Sequence, residues 1–242
     1  MKRMELEILQ LFQQHSFQAI DLSPVSILAS CSAVGPVDQK KILSALRGTE
    51  VLADSTNAIA LHVCDQKQQK VLSADEVRYC SIQRMVRGQS ISGKGLTPHF
   101  RVGCLVTCGV DKGNYHFEKT ALNEHVQTMR TLFIDYYKME KISFRLLRRE
   151  GYPETLLDVV GDYIARRNED AEVTVVKEPE KTNDYYKGIQ YKVDIAYKGK
   201  TYEIADGGFV DWTQQLLQNK KERMLSTGFG FDFMYRILQG VI

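Results

Sequence analysis

The sequence predicts an α/β chain of the α+β kind, a mainly antiparallel sheet with helices packed on it. Three observations carry this reading. Apolar or alternating runs of strand length recur through the 242 residues. Between them lie segments with 3.6-residue apolar spacing. The two kinds are intermixed without a strict strand–helix–strand rhythm, which disfavours a wholly parallel sheet. An apolar fraction of 43% and a charged fraction of 26% are ordinary for a globule. No repeat or flexible linker divides the chain, so residues 1–242 are read as one domain.

Residues 4–14 place Leu6, Leu9 and Phe12, with Ile8 and Leu11, on one stripe of an amphipathic helix. Residues 17–22 alternate as a short strand stopped by Ser23-Pro24. After the turn Gly35-Pro36, a helix is predicted over 37–46, with Asp38 suited to its first turn. The run 51–63 reads as a strand end passing into a helix at Asp54. Strands follow at 78–86 and 100–108, separated by a loop with three glycines; the second is apolar enough to be buried on both faces. Residues 118–137 form a long helix, 142–147 a strand, and 153–167 a helix opened by Pro153. Strands at 173–176, 189–197 and 201–204 come next, the last two joined by a hairpin over Lys198-Gly199-Lys200. A helix is predicted from Phe209 to about Lys221, and a final one ends at Leu238.

Thirty-two basic against thirty acidic residues give +2, too balanced for a protein that grips nucleic acid by neutralising phosphates. The dispersed basic residues make an RNA-binding module the least supported class. No run reaches the ~18 apolar residues of a membrane span, and the opening residues lack a secretory pattern. Five scattered cysteines predict free thiols in a reducing, cytoplasmic setting rather than a disulfide framework. His99, Cys104, Cys108 and His116 lack the close spacing of a structural zinc site, and buried strand thiols are the commoner outcome. Cys31 has no base beside it in sequence, and Lys220-Lys221-Glu222-Arg223 reads as a solvated loop.

Function becomes legible in three ordered segments. The first is Val86-Arg87-Gly88-Gln89, a glycine loop, then His99-Phe100. The second is Asn183-Asp184-Tyr185-Tyr186-Lys187-Gly188, followed by Ala205-Asp206-Gly207-Gly208-Phe209-Val210-Asp211. The third is Thr227-Gly228-Phe229-Gly230-Phe231-Asp232. Together they resemble the signatures of the histidyl-tRNA synthetase branch of the class II aminoacyl-tRNA synthetase core, over nearly the whole chain. The resemblance implies a six- or seven-stranded sheet of that type; because the sequence stops where that core stops, no anticodon-binding domain is expected. It implies that Arg87 grips the ATP α-phosphate and Phe100 stacks on adenine, as a forked guanidinium and a dry aromatic face can. Asp54 and Thr56 stand where the family holds the substrate's amino group; they are also good helix caps. Asp184, Tyr185, Tyr186, Gly207 and Gly208 would wall the amino-acid pocket. Residues 16–24 resemble the signature that builds the dimer interface, so a homodimer through 16–47 is expected.

The departures from that pattern decide the functional expectation. Phe233 stands where the third signature should carry an arginine, with Arg236 one turn further on. Lys181 replaces the arginine that acts on the carboxylate and α-phosphate, Phe209 replaces another, and Gln89 replaces the glutamate of Arg-x-Glu. Leu96 and Pro98 stand for loop arginines; Val102 and Val106 stand for a glutamine and a glutamate. Losing one charge-assisted contact to a transferring phosphoryl group costs ~3 kcal/mol or more, about a hundredfold in rate. Several such losses would leave little adenylation. The same pattern of loss is similar to that of the regulatory subunit of ATP phosphoribosyltransferase. The expectation is therefore a small-ligand-binding or regulatory paralogue, with a partner enzyme and no assigned catalytic residue. The alternative is an adenylate-forming ligase in which Arg87, Phe100, Lys181 and Arg236 hold ATP. ATP and Mg²⁺ remain the candidate cofactors, with Glu203, Asp206 and Asp211 as potential Mg²⁺ ligands but solvated carboxylates as the commoner reading.

Overall fold

The computed structural model describes residues 1–88, 97–178 and 184–242. An eight-stranded sheet forms its centre, in the order β1-β4-β5-β10-β9-β8-β6-β7. The strands are β1 (Gln18–Ala19), β4 (Val77–Val86), β5 (His99–Val110), β6 (Lys141–Arg148), β7 (Glu172–Val176), β8 (Lys187–Tyr197), β9 (Lys200–Val210) and β10 (Glu222–Gly230). Five neighbouring pairs are antiparallel, and the outermost pairs, β1 with β4 and β6 with β7, are parallel. The sheet is thus mixed, with one strand more than expected. β2 (Val25–Ile27) and β3 (Thr49–Val51) form a separate ribbon.

Helices cover both faces. On one side α1 (Lys2–Gln14), α3 (His116–Arg130), α4 (Thr155–Arg167) and α6 (Phe231–Leu238) bury the main core with Leu105, Tyr191 and Phe229. On the other, α2 (Ser55–Gln68) and α5 (Trp212–Leu217) close over Cys104, Val106 and Cys108. β5 therefore feeds successive residues into opposite cores, the two-sided burial its apolar run implies. Gly103 lets the Phe229 ring lie against the strand: a Cβ there would stand 2.2 Å from ring carbons. All five cysteines are free and buried. Among the described residues no helix is long and apolar enough to cross a membrane.

Several local expectations give way. Leu6 is 57% exposed, and Met4, Ile8, Leu11 and Phe12 carry the buried stripe instead. The strand at 17–22 contracts to Gln18–Ala19. Over 37–46 there is only a single 3₁₀ turn, Gln39–Lys41, capped by Asp38. The rest is extended because it turns back to pair with β3 instead of coiling: Ala45 N–H donates to Thr49 O, and Val51 N–H to Leu43 O. The helix predicted from Phe209 shrinks to α5, because β9 runs straight through Gly207-Gly208 to Val210. Glu222 and Arg223 are strand residues in ion pairs, Glu222 with Lys67 at 2.6 Å and Arg223 with Asp111 at 2.7 Å, so the solvated-loop reading fails for both.

Candidate functional site

A cavity of about 570 Å³ opens between the N-terminal end of α2, the first residues of β5, the last of β10 and the irregular segment 31–42. That volume is in the range of small-molecule sites. Asp54 is the residue from which the site is built. It is the N-cap of α2: Oδ1 accepts the Thr56 N–H at 2.8 Å and the Thr56 hydroxyl at 2.7 Å. Oδ2 accepts the Tyr185 hydroxyl at 2.6 Å. Cap and cavity wall are one structure, so the two readings of Asp54 coincide in a single geometry.

Tyr185 is held edge-on against Trp212, with ring centroids 5.1 Å apart, and against Tyr186 at 4.8 Å. Tyr186 packs directly on the strand because Gly208 has no side chain; a Cβ would stand 2.6 Å from its ring. The Tyr186 hydroxyl donates to Asp206 Oδ2 at 3.3 Å, and Gln190 Nε2 donates to Oδ1 at 2.6 Å. Gln190 is itself fixed by Arg149 Nε, 2.9 Å from its Oε1. Burial raises the Asp206 carboxyl above its ordinary value, against the pull of Gln190 and Lys192. Burial, reinforced by these carboxylates, also pushes both tyrosine hydroxyls well above theirs. The pair Asp54 and Asp206 thus forms an acidic, tyrosine-walled pocket without a cation in ion-pair distance among the described residues.

The cavity's positive charge comes from Lys41 and Arg87. Arg87 Nε donates to Ala53 O at 3.3 Å, and its guanidinium lies 5.4 Å from the centroid of Phe100. A cation over the ring face is a favourable pairing in its own right, and it occupies the surface on which a base would stack. Val102 lines the cavity, whereas Val106 is buried beneath α2 and does not reach it.

Of the residues marked in the sequence, Asp54, Thr56, Arg87, Phe100, Tyr185 and Tyr186 converge here. Gln89 and Lys181 lie outside the described residues. Asp184 is exposed in the turn before Tyr185 and is not part of the lining. Gly207 and Gly208 serve from below, Gly207 by admitting Tyr191 and Thr227 on the opposite face. Glu203 is displaced from the site, paired with Arg145 at 2.7 Å and Lys192 at 2.8 Å. It therefore does not join Asp206 and Asp211 in an Mg²⁺ cluster, and Asp211 faces a different cavity. Arg236, on α6, does not line the cavity, and Phe233 packs against Tyr202 at 6.1 Å. The zinc candidates are likewise apart: His99 meets Arg84 at 3.0 Å and Cys104 accepts from Ser55 at 3.4 Å.

The wall contributed by Cys31, Pro36, Val37, Asp38, Lys41 and Ile42 was not expected from the sequence. It is shaped by Glu50, which is fully buried on β3. One carboxylate oxygen accepts from Ala29 N–H at 2.8 Å and Gln39 Nε2 at 2.9 Å; the other accepts from the Ser30 hydroxyl at 2.8 Å and Cys31 N–H at 3.0 Å. Burial disfavours the charge, but these four donors outweigh it and hold the carboxyl below its ordinary value. A glutamate next to a β-branched pair carries no local sign of such a role.

No protein-family model matches the chain, and no curated protein matches it in sequence. Solved structures do. Apo histidyl-tRNA synthetase of S. aureus superposes with a TM-score of 0.72 at 11% identity, over 99% of this chain and 66% of that one. An ATP phosphoribosyltransferase regulatory subunit/histidyl-tRNA synthetase from Bacillus halodurans gives 0.72 at 10% identity, covering 98% and 79%. A protein described as a threonyl-tRNA synthetase of Aeropyrum pernix gives 0.73 at 13% identity, covering 98% and 59%. The chain spans just under two thirds of the S. aureus enzyme and a smaller share of the Aeropyrum protein. With a central sheet clothed by helices on both faces and a cavity at the α2 cap, this chain has the fold of the class II aminoacyl-tRNA synthetase catalytic core.

Proposed function

We propose that the chain is a histidyl-tRNA synthetase-like paralogue that no longer charges tRNA and serves as a regulatory subunit, binding a small amino-bearing ligand. One observation carries the reading: the cavity is well furnished for an ammonium group and poorly furnished for a triphosphate. Asp54, Thr56, Tyr185, Tyr186 and Asp206 offer oriented oxygens and two carboxylates. Against the roughly four negative charges of ATP, the described lining sets Lys41 and Arg87, and Arg87 already covers Phe100. Val102 adds an apolar wall where a substrate side chain would sit. Likeness to a structure named as an ATP phosphoribosyltransferase regulatory subunit supports a partner enzyme.

A thermal-shift screen with ATP, AMP and the twenty amino acids tests it, since a ligand bound only by the folded state raises the melting temperature. The expected result is a shift with an amino acid, abolished in Asp54→Asn, and no amino-acid-dependent pyrophosphate exchange. Exchange activity would refute it. The alternative is an adenylate-forming ligase, favoured by the presence of Arg87 and Phe100 in the same cavity as Asp54. It requires that Arg87→Ala abolish nucleotide binding.

The homodimer through 16–47 belongs to the same proposal. Val25, Ile27, Leu28, Leu43 and Leu46 are exposed together on the β2–β3 ribbon and its neighbouring segment, Ile27 at 70% and Leu46 at 85%. Such an apolar group asks to be covered. Sedimentation should find a dimer that Ile27→Asp dissociates; a monomeric native chain would remove the idea.

A further inference from the structure

Asp206 gives the cavity at Asp54 a second acidic end. It stands on β9 two residues before Gly208, hence on the same face of the strand, and it lines the cavity together with Asp54. Its cross-strand partner on β10 is Gly228. No side chain from that position fills the space beside the carboxylate: the nearest atom to an ideal Cβ at Gly228 is Val102 Cγ1, at 3.5 Å. Carboxylate, bare backbone and apolar wall thus adjoin one another.

Neutral donors hold both acids in place. Asp206 takes one bond at each oxygen, from Gln190 and from the Tyr186 hydroxyl, and a carboxylate has about four acceptor sites to offer. Asp54 takes its bonds from Thr56 and Tyr185. The cations whose charge reaches Asp206, Lys192 and Arg149, are engaged elsewhere, Lys192 with Glu203 at 2.8 Å and Arg149 with Gln190 at 2.9 Å. Burial therefore keeps the Asp206 carboxyl above its ordinary value, as it does for a buried acid short of positive charge. The two tyrosine rings, 4.8 Å apart, span the distance between the acids, each with its hydroxyl on one of them.

We propose that Asp206 is a specificity-determining residue and that the ligand is an aliphatic chain bearing two ammonium groups, a dibasic amino acid or a diamine. One ammonium meets Asp54 and the other Asp206, in charge-assisted hydrogen bonds. The methylenes between them run along the tyrosine pair and Val102. This rests on the reading of the cavity as an amine site and narrows its ligand. Lys41 and Arg87 in the lining give a dibasic amino acid a counter-charge for its carboxylate, which a diamine does not use.

Calorimetric titration of the full chain at neutral pH, where both ammonium groups are charged, tests this. The ligands are lysine, ornithine, cadaverine and putrescine, with norleucine and pentylamine as counterparts lacking the second charge, and histidine. At least one dibasic compound binds about tenfold more tightly than its singly charged counterpart, or better. Tightest binding by lysine or ornithine identifies the amino acid, and by cadaverine or putrescine the diamine. Asp206→Asn keeps the shape, removes the charge and abolishes the preference, leaving the singly charged counterpart bound as before. Asp54→Asn weakens every ligand of the series. Equal affinity for lysine and norleucine, and for cadaverine and pentylamine, overturns the proposal; the amine-binding reading then stands if Asp54→Asn still abolishes binding. A preference that survives Asp206→Asn overturns it too, as does histidine binding more tightly than every dibasic compound. Absence of binding by all of them at millimolar concentration removes the proposal and the amine-binding reading together.

Discussion

Replacing Glu50 tests whether the irregular wall of the first cavity depends on one carboxylate. Its four donors, Ala29 N–H, Ser30 Oγ, Cys31 N–H and Gln39 Nε2, all reach back from the segment that carries Cys31, Val37, Asp38 and Lys41 into the lining. Hydrogen bonds to a charged group contribute about 1.5–3 kcal/mol each and are not additive, so Glu50→Ala should cost on the order of 4 kcal/mol. Glu50→Gln keeps the shape but turns an amide toward donors, and about half that loss is expected. The folded-state carboxyl is held below its ordinary value, so its contribution is present above the unfolded pKa and fades as pH falls through the folded one. Chemical denaturation at neutral pH reads the stability, and amide exchange at Ala29 and Cys31 reads the local effect. A ligand of the cavity should also bind more weakly, because the wall would be ordered for only part of the time. Native stability and native protection at those two amides in Glu50→Ala would refute the reasoning.

His125 should make stability fall in acid. It is fully buried, with Nε2 3.0 Å from Thr107 Oγ1 and Nδ1 2.6 Å from Thr227 Oγ1, which in turn meets the Tyr191 hydroxyl. Burial, helped by the charge of Arg78, lowers its pKa from 6.5 to about 3. The unfolded chain therefore takes up a proton that the folded one refuses. The contribution is whole above about pH 6.5 and lost towards pH 3, a change on the order of 5 kcal/mol. Urea midpoints measured from pH 7 to pH 4 should fall more steeply for the native chain than for His125→Gln; parallel curves would contradict this. The cysteines should resist thiol reagents at pH 8 in the folded state, because burial raises Cys31 and Cys64 to about 11 and Cys80 and Cys104 to about 12. Rapid labelling of native protein, followed by peptide mapping, would identify any thiol that breaks this expectation.

What could be read from the sequence was whatever local chemistry decides. Asp54-Ser55-Thr56 announces a helix cap, and the cap is also the start of the cavity. The paired tyrosines 185 and 186 and the run 100–108 were equally visible, because aromatic pairs and apolar strand runs keep their meaning in most contexts. Residues whose conformation is set by a distant partner were not. The segment 37–46 has helical spacing, yet Glu50 and the bonds to Thr49 and Val51 hold it open. Glu222 and Arg223 look like a solvated charge run, but Lys67, Asp111 and Glu118 come from three other elements to pair with them. The two parallel edge pairings could not be inferred either, since nothing in a strand states which neighbour it will take.

Gly207-Gly208 is the sharpest such case. A glycine pair signals a turn locally, and here it lies inside a strand, with a different reason on each face. Gly207 leaves room for Tyr191 and Thr227: a Cβ would stand 2.7 Å from a ring carbon and 2.9 Å from the hydroxyl oxygen. Gly208 leaves room for Tyr186 on the cavity face and sits 2.7 Å, from its ideal Cβ position, below the carbonyl of Ile189. Backbone cannot yield as a side chain can, so Gly208→Ala should behave as an overpacked core and cost about 1–3 kcal/mol. Its effect should reach beyond stability, since lifting Tyr186 stretches the bond from its hydroxyl to Asp206 and the edge contact with Tyr185. Tyr185 is what joins Asp54 to the aromatic wall. Gly208→Ala should therefore weaken binding in the first cavity more than its loss of stability alone explains, while Gly199→Ala, in the open hairpin turn, should leave binding untouched. If Gly208→Ala binds an amino-bearing ligand as the native chain does, Tyr186 does not depend on that bare stretch of strand for its place over the sheet, and the route from Asp206 to Asp54 through the two tyrosines is wrong.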